Sequence, residues 1–382
     1  MQKKIVFVST HPIQYQVPIF KRLYKRNNQF LAYFDKRINK NTLINDHGFQ
    51  KKIKWGKELT TGYKYEIFKK NKNFFINSFK LYNILKSKKI DYIILSGWNN
   101  LFYKTTFILA KVLKIKLILR CENNFSETHV IKKKIKILFL SFFFKHFFKF
   151  IAIGKKNKQM YMDCGISEKK ILKSNYSIDN NFFNDKKMSK TKNVYLKKLY
   201  DVNNKKIFLF VGKFIKRKGL NVLLNSIINL KSNSNFINNS MFLLIGQGPE
   251  LNNIKQFIKS ENLNNVKLIN FQSQKNLKYF YKFSNFLILP SYYETWGLVV
   301  NEAMAMGKPS IVSKSCGSAN DLVINNKNGF IFKKGNSLAL SDIIIKVFND
   351  NGIENRLQKE VIKTQKMFTI ARNVEDILRI CK

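Results

Sequence analysis

Apolar residues along the chain fall into short, near-continuous runs separated by longer stretches with helical spacing. In the first half the runs are KIVFVS (4–9), FLAYF (30–34), YIILS (92–96), KLILR (116–120) and FIAIG (150–154). Between them, segments such as VPIFKRLYK (17–25) and FYKTTFILAKVLK (102–114) carry their apolar side chains at helical intervals. Strands that are apolar at almost every position need cover on both faces, which parallel sheets receive from their crossover helices. The alternation lapses over 179–205, a polar, lysine-rich stretch that reads as a linker with one turn of helix at most. It resumes with IFLFV (207–211), FLLIG (242–246), VKLIN (266–270), FLILP (286–290) and SIVS (310–313). The pattern predicts an α/β chain with two doubly wound parallel-sheet domains facing a cleft, over 1–178 and 206–352. Amphipathic periodicity over 353–382 predicts one or two closing helices.

Composition changes this picture in only a few places. A length of 382 residues suits two domains, and a hydrophobic content of 45% excludes wholesale disorder. The formal charge of +47 points to anionic partners: nucleic acid, an anionic membrane surface or an anionic substrate. Lys, Asn, Ile and Phe are abundant everywhere while Gly (16) and Pro (5) are scarce, so compositional drift also accounts for the charge. The lysines are dispersed and no aromatic–basic reading module appears, so no specific nucleic-acid partner is expected. Four scattered cysteines and four histidines suggest neither a disulfide framework nor a zinc site, which fits a reducing cytoplasm. The opening MQKKIVFVSTHPIQYQ has too short an apolar run for a signal peptide. ILFLSFFF (137–144), bracketed by KKKIK and KHFFK, falls well short of the roughly 20 residues that span a bilayer. Two readings of it stay open: a core helix with a lysine fringe, or a helix lying on an anionic membrane, peripheral to its inner face.

Candidate chemistry gathers in three loops of the second half, each just beyond a strand, where open α/β sheets bind ligands. In VGKFIKRKGL (211–220), Gly212 allows close backbone approach and Lys213, Lys216, Arg217 and Lys218 supply charge suited to a diphosphate. LLIGQGPE (243–250) is a strand followed by a Gly-x-Gly-Pro turn without the full dinucleotide fingerprint. In SYYETWGLVVNEAMAMGKPS (291–310), the exit loop leads into a helix stopped by Gly307. The first turn of that helix, at Gly297, Leu298 and Val299, offers unpaired N–H groups to an anion. Glu294 precedes it and Glu302 lies about one turn inside. Carboxylates repel phosphate but accept hydroxyl donors. A ligand with a diphosphate in its middle and diols at both ends, a nucleotide-diphosphate sugar, satisfies both acids.

At these residues the chain resembles glycosyltransferase family 4, retaining enzymes of the GT-B fold with two Rossmann-like domains. The most specific element is Glu, seven residues, Glu, then Ala-Met-Ala-x-Gly-x-Pro. In the first half, THPIQYQVPIF, DHGF with Trp55, SGWNN, RCENN and AIGKKN followed by YMDCGIS resemble a bacterial-type subset of that family. The resemblance implies that Lys218 and Lys213 contact the diphosphate, Lys213 standing where arginine is usual. It implies that Glu294 lies near the donor sugar, Glu302 on the ribose, and Gly297, Leu298 and Val299 at the phosphates. HPIQYQ replaces a common glycine pair, RCENN stands where many members have a histidine, and Asp321 stands where glutamate is commoner. Candidate sugar or acceptor contacts are therefore His11, Gln14, Arg120 and Glu122; His11 also has a structural reading, as a cap for the helix beginning near Pro18.

The expected activity is transfer of a sugar from a nucleotide-sugar donor to a glycan, lipid-linked or other surface-polysaccharide acceptor. The chain contains no Asp-x-Asp, so no metal ion and no cofactor beyond the co-substrate is expected. Rival readings are a GT-B-like sugar-nucleotide epimerase or hydrolase and a basic nucleic-acid-binding protein. Base, sugar, acceptor and oligomeric state stay open.

Overall fold

The near-continuous apolar runs become parallel strands buried on both faces. The computed structural model of the chain describes residues 2–35, 43–46, 51–54, 59–69, 73–126, 128–183 and 188–382. The strands of the first half are β1 (Ile5–Ser9), β2 (Phe30–Phe34), β3 (Leu43–Asp46), β4 (Lys51–Lys54), β5 (Tyr65–Ile67), β6 (Tyr92–Leu95), β7 (Lys116–Cys121), β8 (Lys149–Ala152) and β9 (Ile171–Lys173). Strands β3 and β4 pair as a separate ribbon, and the other seven form one parallel sheet in the order β5-β2-β1-β6-β7-β8-β9. Alternation along β1 divides its cover. Val6 and Val8 join the core beneath α2 (Phe74–Ser87), α3 (Leu101–Val112), α4 (Val130–Phe144) and α5 (Lys155–Asp163). Ile5 and Phe7 point to the opposite core, where α1 (Val17–Arg26) contributes Phe20 and Leu23.

The second half adds α6 (Asn180–Phe183), α7 (Lys190–Leu199), β10 (Lys206–Val211), α8 (Leu220–Ile228), α9 (Ser234–Asn239), β11 (Ser240–Ile245), α10 (Leu251–Ser260), β12 (Val266–Ile269), α11 (Gln274–Phe283), β13 (Phe286–Leu289), α12 (Leu298–Ala305), β14 (Ser310–Ser313), β15 (Gly329–Phe332), α13 (Ser337–Asn349), α14 (Ile353–Gln365) and α15 (Ile370–Ile380). Its six strands form a second parallel sheet, in the order β12-β11-β10-β13-β14-β15. The strand order reverses between β10 and β13, which opens the loops leaving those two strands away from each other's crossover helices.

The chain divides into two compact units. One holds Met1–Ile44, Lys54–Ile178 and Phe368–Lys382; the other holds Asn45–Ile53 and Asp179–Met367. The two closing helices belong to different units. α14 packs against α12, while α15 packs against α1 and buries Val374, Ile377 and Ile380 in the core that holds Phe20.

Five strands, β3, β4, β5, β9 and β15, escape the sequence pattern. Each has only three or four residues and closes an edge of its sheet, and β5 and β9 are only half-buried, so neither shows an apolar run. The stretch 179–205, expected as a linker, carries α6 and α7 instead. α6 packs on α12 and α7 on α11, with Phe183 and Leu196 buried. Few apolar anchors in a lysine-rich background suffice, because the receiving helices already present aromatic faces: Phe183 meets the Tyr281 ring at 6.2 Å.

Truncating the α15 anchor should loosen the first unit from a distance of more than 300 residues. Ile377→Ala is expected to cost about 2–5 kcal/mol, read as a shifted urea transition followed by Phe- and Tyr-sensitive circular dichroism.

Candidate functional site

The loops leaving β10 and β13 are laced together through the backbone. Tyr292 donates its N–H to the Arg217 carbonyl at 2.9 Å, and Arg217 Nη1 donates to the Tyr293 carbonyl at 3.1 Å. Gly219 sits at φ +66°, and a Cβ there would meet the Pro290 carbonyl oxygen at 2.3 Å. Only glycine allows both the left-handed turn and this backbone contact. The lacing brings Lys218, on the 3-10 turn Lys216–Lys218, against Glu294: Nζ and Oε2 form an ion pair. Both residues are buried, at 8% and 9% exposure, and Arg217 stands 3.8 Å from the same oxygen. Removing either partner of a buried pair leaves an uncompensated charge, at a cost of about 3–5 kcal/mol.

A third loop, after β14, straps the other side of Glu294. Gly317 N–H donates to the Glu294 carbonyl at 2.9 Å and Ser318 N–H to the Trp296 carbonyl at 2.9 Å. Trp296 is buried and donates its indole N–H to Asn301 Oδ1 at 2.8 Å, tying the loop to α12. Gly297 is the N-cap of α12 at φ +98°, a conformation that L side chains rarely adopt, and Leu298 begins the helix. The first-turn amides of α12 therefore open beside Glu294.

Glu302 lies on the same helix but in different surroundings. It is 1% exposed; Tyr281 donates its hydroxyl to Oε2 at 2.7 Å, and Gln274 Nε2 approaches Oε1 at 3.4 Å. Both partners come from α11, so Glu302 is oriented by a neighbouring helix and Glu294 by cations of the β10 loop. Gly212 and Lys213, half-buried at the β10 exit, lie beside the loop leaving β11: Gly212 N–H bonds the Ile245 carbonyl at 3.0 Å and Phe214 N–H the Gln247 carbonyl at 2.9 Å.

The first unit holds the other candidates at the carboxyl ends of its strands. His11 and Gln14 follow β1, at the point where strand order reverses between β1 and β6. His11 Nδ1 lies 2.9 Å from Thr10 Oγ1, and the N-cap residue of α1 is Gln16. Arg120 is the penultimate residue of β7, with its guanidinium 4.8 Å from the Tyr176 ring centroid. It is buried; burial pulls its pKa down, and Glu122 pulls it back up. Its Nη2 is a buried donor with no hydrogen-bond partner among the described residues. The RCENN loop is clamped by Asn157 of α5, which donates to the Asn123 carbonyl at 2.7 Å and approaches Cys121 Sγ at 3.5 Å. Cys121 in turn meets the Tyr161 hydroxyl at 3.1 Å, and burial pushes its thiol pKa up. The 47–49 portion of DHGF, and Trp55, lie outside the described residues.

The structure thus brings Lys218, Glu294, Gly297, Leu298, Val299 and Glu302 onto adjoining loops and one helix. It adds Tyr281, Gln274 and Asn301, which no sequence motif marks. A buried tyrosine hydroxyl needs a partner, and that was the one local signal pointing from Tyr281 to a nearby acid. A cavity of about 420 Å³ lies on α8 and α10, lined by Ile215, Lys216, Leu220, Glu250, Phe257 and Tyr292, and includes neither Glu294 nor Glu302.

Residues 192–364 match the family described as glycosyl transferases group 1. A stretch of 182 residues is 28% identical to an uncharacterized glycosyltransferase, MJ1178, of Methanocaldococcus jannaschii, covering 48% of this chain and 49% of that protein. The chain thus spans about half the length of this curated relative. Solved structures match over nearly the whole length. A glycosyltransferase from Rickettsia africae ESF-5 aligns over 100% of this chain and 98% of its own, with a TM-score of 0.78 at 18% identity. Anabaena Alr3699/HepE, in complex with UDP, aligns over 98% of each chain, with a TM-score of 0.76 at 17% identity. The fold is GT-B, with two doubly wound parallel-sheet domains.

Tyr281→Phe removes the hydroxyl that satisfies Glu302 Oε2. The loss should lower stability by about 1–3 kcal/mol, measured as a fall in the thermal midpoint that Tyr195→Phe, at an exposed position of α7, does not reproduce.

Proposed function

We propose that the chain is a retaining glycosyltransferase of the family 4 type. It moves a sugar from a nucleotide-diphosphate sugar to a glycan, lipid-linked or other surface-polysaccharide acceptor. The observation that carries this reading is the grouping of Lys218, Glu294, the α12 N-terminus and Glu302 at the carboxyl ends of β10 and β13. The match of residues 192–364 and the UDP held by the HepE structure support the class of donor.

In this reading the diphosphate lies against the amides of Gly297, Leu298 and Val299, with Lys218 and Lys213 as fixed cations. Gly212 lets the backbone approach. Lys218 keeps further N–H donors beyond the one given to Glu294, so the ion pair sets its direction without using up its capacity. Glu302, held by Tyr281, accepts the ribose diol, and Glu294 accepts hydroxyls of the donor sugar. When the glycosidic bond to the phosphate breaks, negative charge grows on the leaving oxygen. Preorganised amides and cations aimed at it are worth about 2.7–4 kcal/mol per donor in comparable sites. The acceptor attacks the face from which the diphosphate departs, the leaving phosphate oxygen takes its proton, and configuration is retained. His11, Gln14, Arg120 and Glu122 are the proposed sugar or acceptor contacts. No metal takes part in this scheme, and no cofactor beyond the donor.

A thermal-shift panel of sugar nucleotides is the direct test, since a ligand that binds the native state raises its stability by mass action. One sugar nucleotide of the panel is expected to raise the midpoint, and Glu302→Ala to abolish the rise. Lys218→Ala is expected to lower kcat about 100-fold or more, assayed on protein shown to be folded. Wild-type kinetics in both variants would remove the assignment. Activity should survive EDTA; loss restored by Mg²⁺ would contradict the metal-free scheme. Consumption of the donor sugar without acceptor would favour an epimerase or hydrolase.

A further inference from the structure

Three neighbouring helices of the first unit carry a surface that the proposed chemistry does not use. α2, α3 and α4 cover the same face of the seven-stranded sheet: α2 touches α3, and Phe107 of α3 meets Phe143 of α4 at 4.9 Å between centroids. Their outward sides are apolar. Among the described residues, 12 of the 21 large hydrophobic side chains that stand exposed lie on these three helices, so the exposure is gathered rather than scattered. Phe75 on α2 is 79% exposed, Ile108 on α3 is 59%, and Leu138, Phe139 and Phe142 on α4 are 74%, 72% and 70%. α4 is extreme: of its 15 residues only Phe144 is buried.

The same three helices hold eight lysines and no acidic residue. Lys132, Lys134 and Lys136 of α4 are exposed beside the apolar positions, as are Lys104 and Lys111 of α3. This pairing decides between occupants. A second copy of the chain would set lysines against lysines. A bilayer with anionic headgroups accepts both parts, apolar side chains entering the acyl boundary while lysine stems reach the phosphates. Among the described residues no helix is long and apolar enough to cross a membrane, so the face lies on the surface and does not pass through it.

We propose that α2, α3 and α4 form a docking face for an anionic lipid bilayer. The face belongs to the first unit alone and does not depend on the donor-site reading.

Co-sedimentation of the full chain with phosphatidylcholine vesicles, with and without phosphatidylglycerol, tests this. Binding is expected with the anionic lipid, falling as salt rises, and little is expected with the neutral one. Lys132→Gln with Lys136→Gln should weaken binding roughly 30-fold, at the usual contribution of a lysine near an anionic surface. Lys255→Gln with Lys259→Gln, the same charge change on exposed positions of α10, should leave it nearly unaltered. Leu138→Ser with Phe142→Ser should weaken binding about tenfold or more. All these side chains are exposed, so thermal midpoints and any donor-induced shift should stay at wild-type values. Equal binding to both vesicle types, or none to either, overturns the proposal. So does an equal loss in the α10 variant, which would assign binding to net charge alone. A dimer in light scattering that Leu138→Ser with Phe142→Ser dissolves would assign the face to a second copy.

Discussion

The Lys218–Glu294 ion pair is the contact on which the arrangement of the second unit's loops depends. It joins two residues that lie 76 positions apart in the sequence, and it does so inside a buried seam where neither charge has enough water to stand alone. Everything around it serves closeness. Backbone hydrogen bonds run from Tyr292 to Arg217 and from Gly317 to Glu294, and a glycine stands where Pro290 leaves no space for a side chain. Two oppositely charged groups so enclosed fix each other's direction, which holds the loops that carry them in one arrangement.

The second carboxylate is governed by a different rule. Glu302 is held from α11, by a tyrosine hydroxyl on one oxygen and a glutamine amide on the other. One acid is anchored by a lysine and the other by neutral hydrogen-bond donors, on a single short helix and the loop before it.

Much of the architecture was legible because central strands of parallel sheets are apolar throughout. The runs at 4–9, 30–34, 92–96 and 116–120 coincide with β1, β2, β6 and β7 to within a residue. The edges β5 and β9 were not legible: they face solvent on part of their surface and carry Glu66 and Lys173. The helices within 179–205 were hidden because their burial is decided by what α11 and α12 offer them. At the site, spacing and neighbours singled out Glu294, Glu302 and the α12 N-terminus. The partners that hold them come from elsewhere in the chain, as Lys218 from the β10 loop and Tyr281 from α11, and only sheet order brings these elements side by side. Arg120 was marked as a candidate, but its place over Tyr176 and its unpaired Nη2 come from packing across β7 and the loop after β9.

The return of α15 to the first unit has a consequence for biogenesis. The second unit is closed by α14, so all its strands and crossover helices have left the ribosome while the first still lacks Val374, Ile377 and Ile380. The usual vectorial order, in which the N-terminal portion matures first, is reversed for the core around Phe20. Until α15 has emerged from the ribosome, the apolar face that α1 turns toward it stays uncovered.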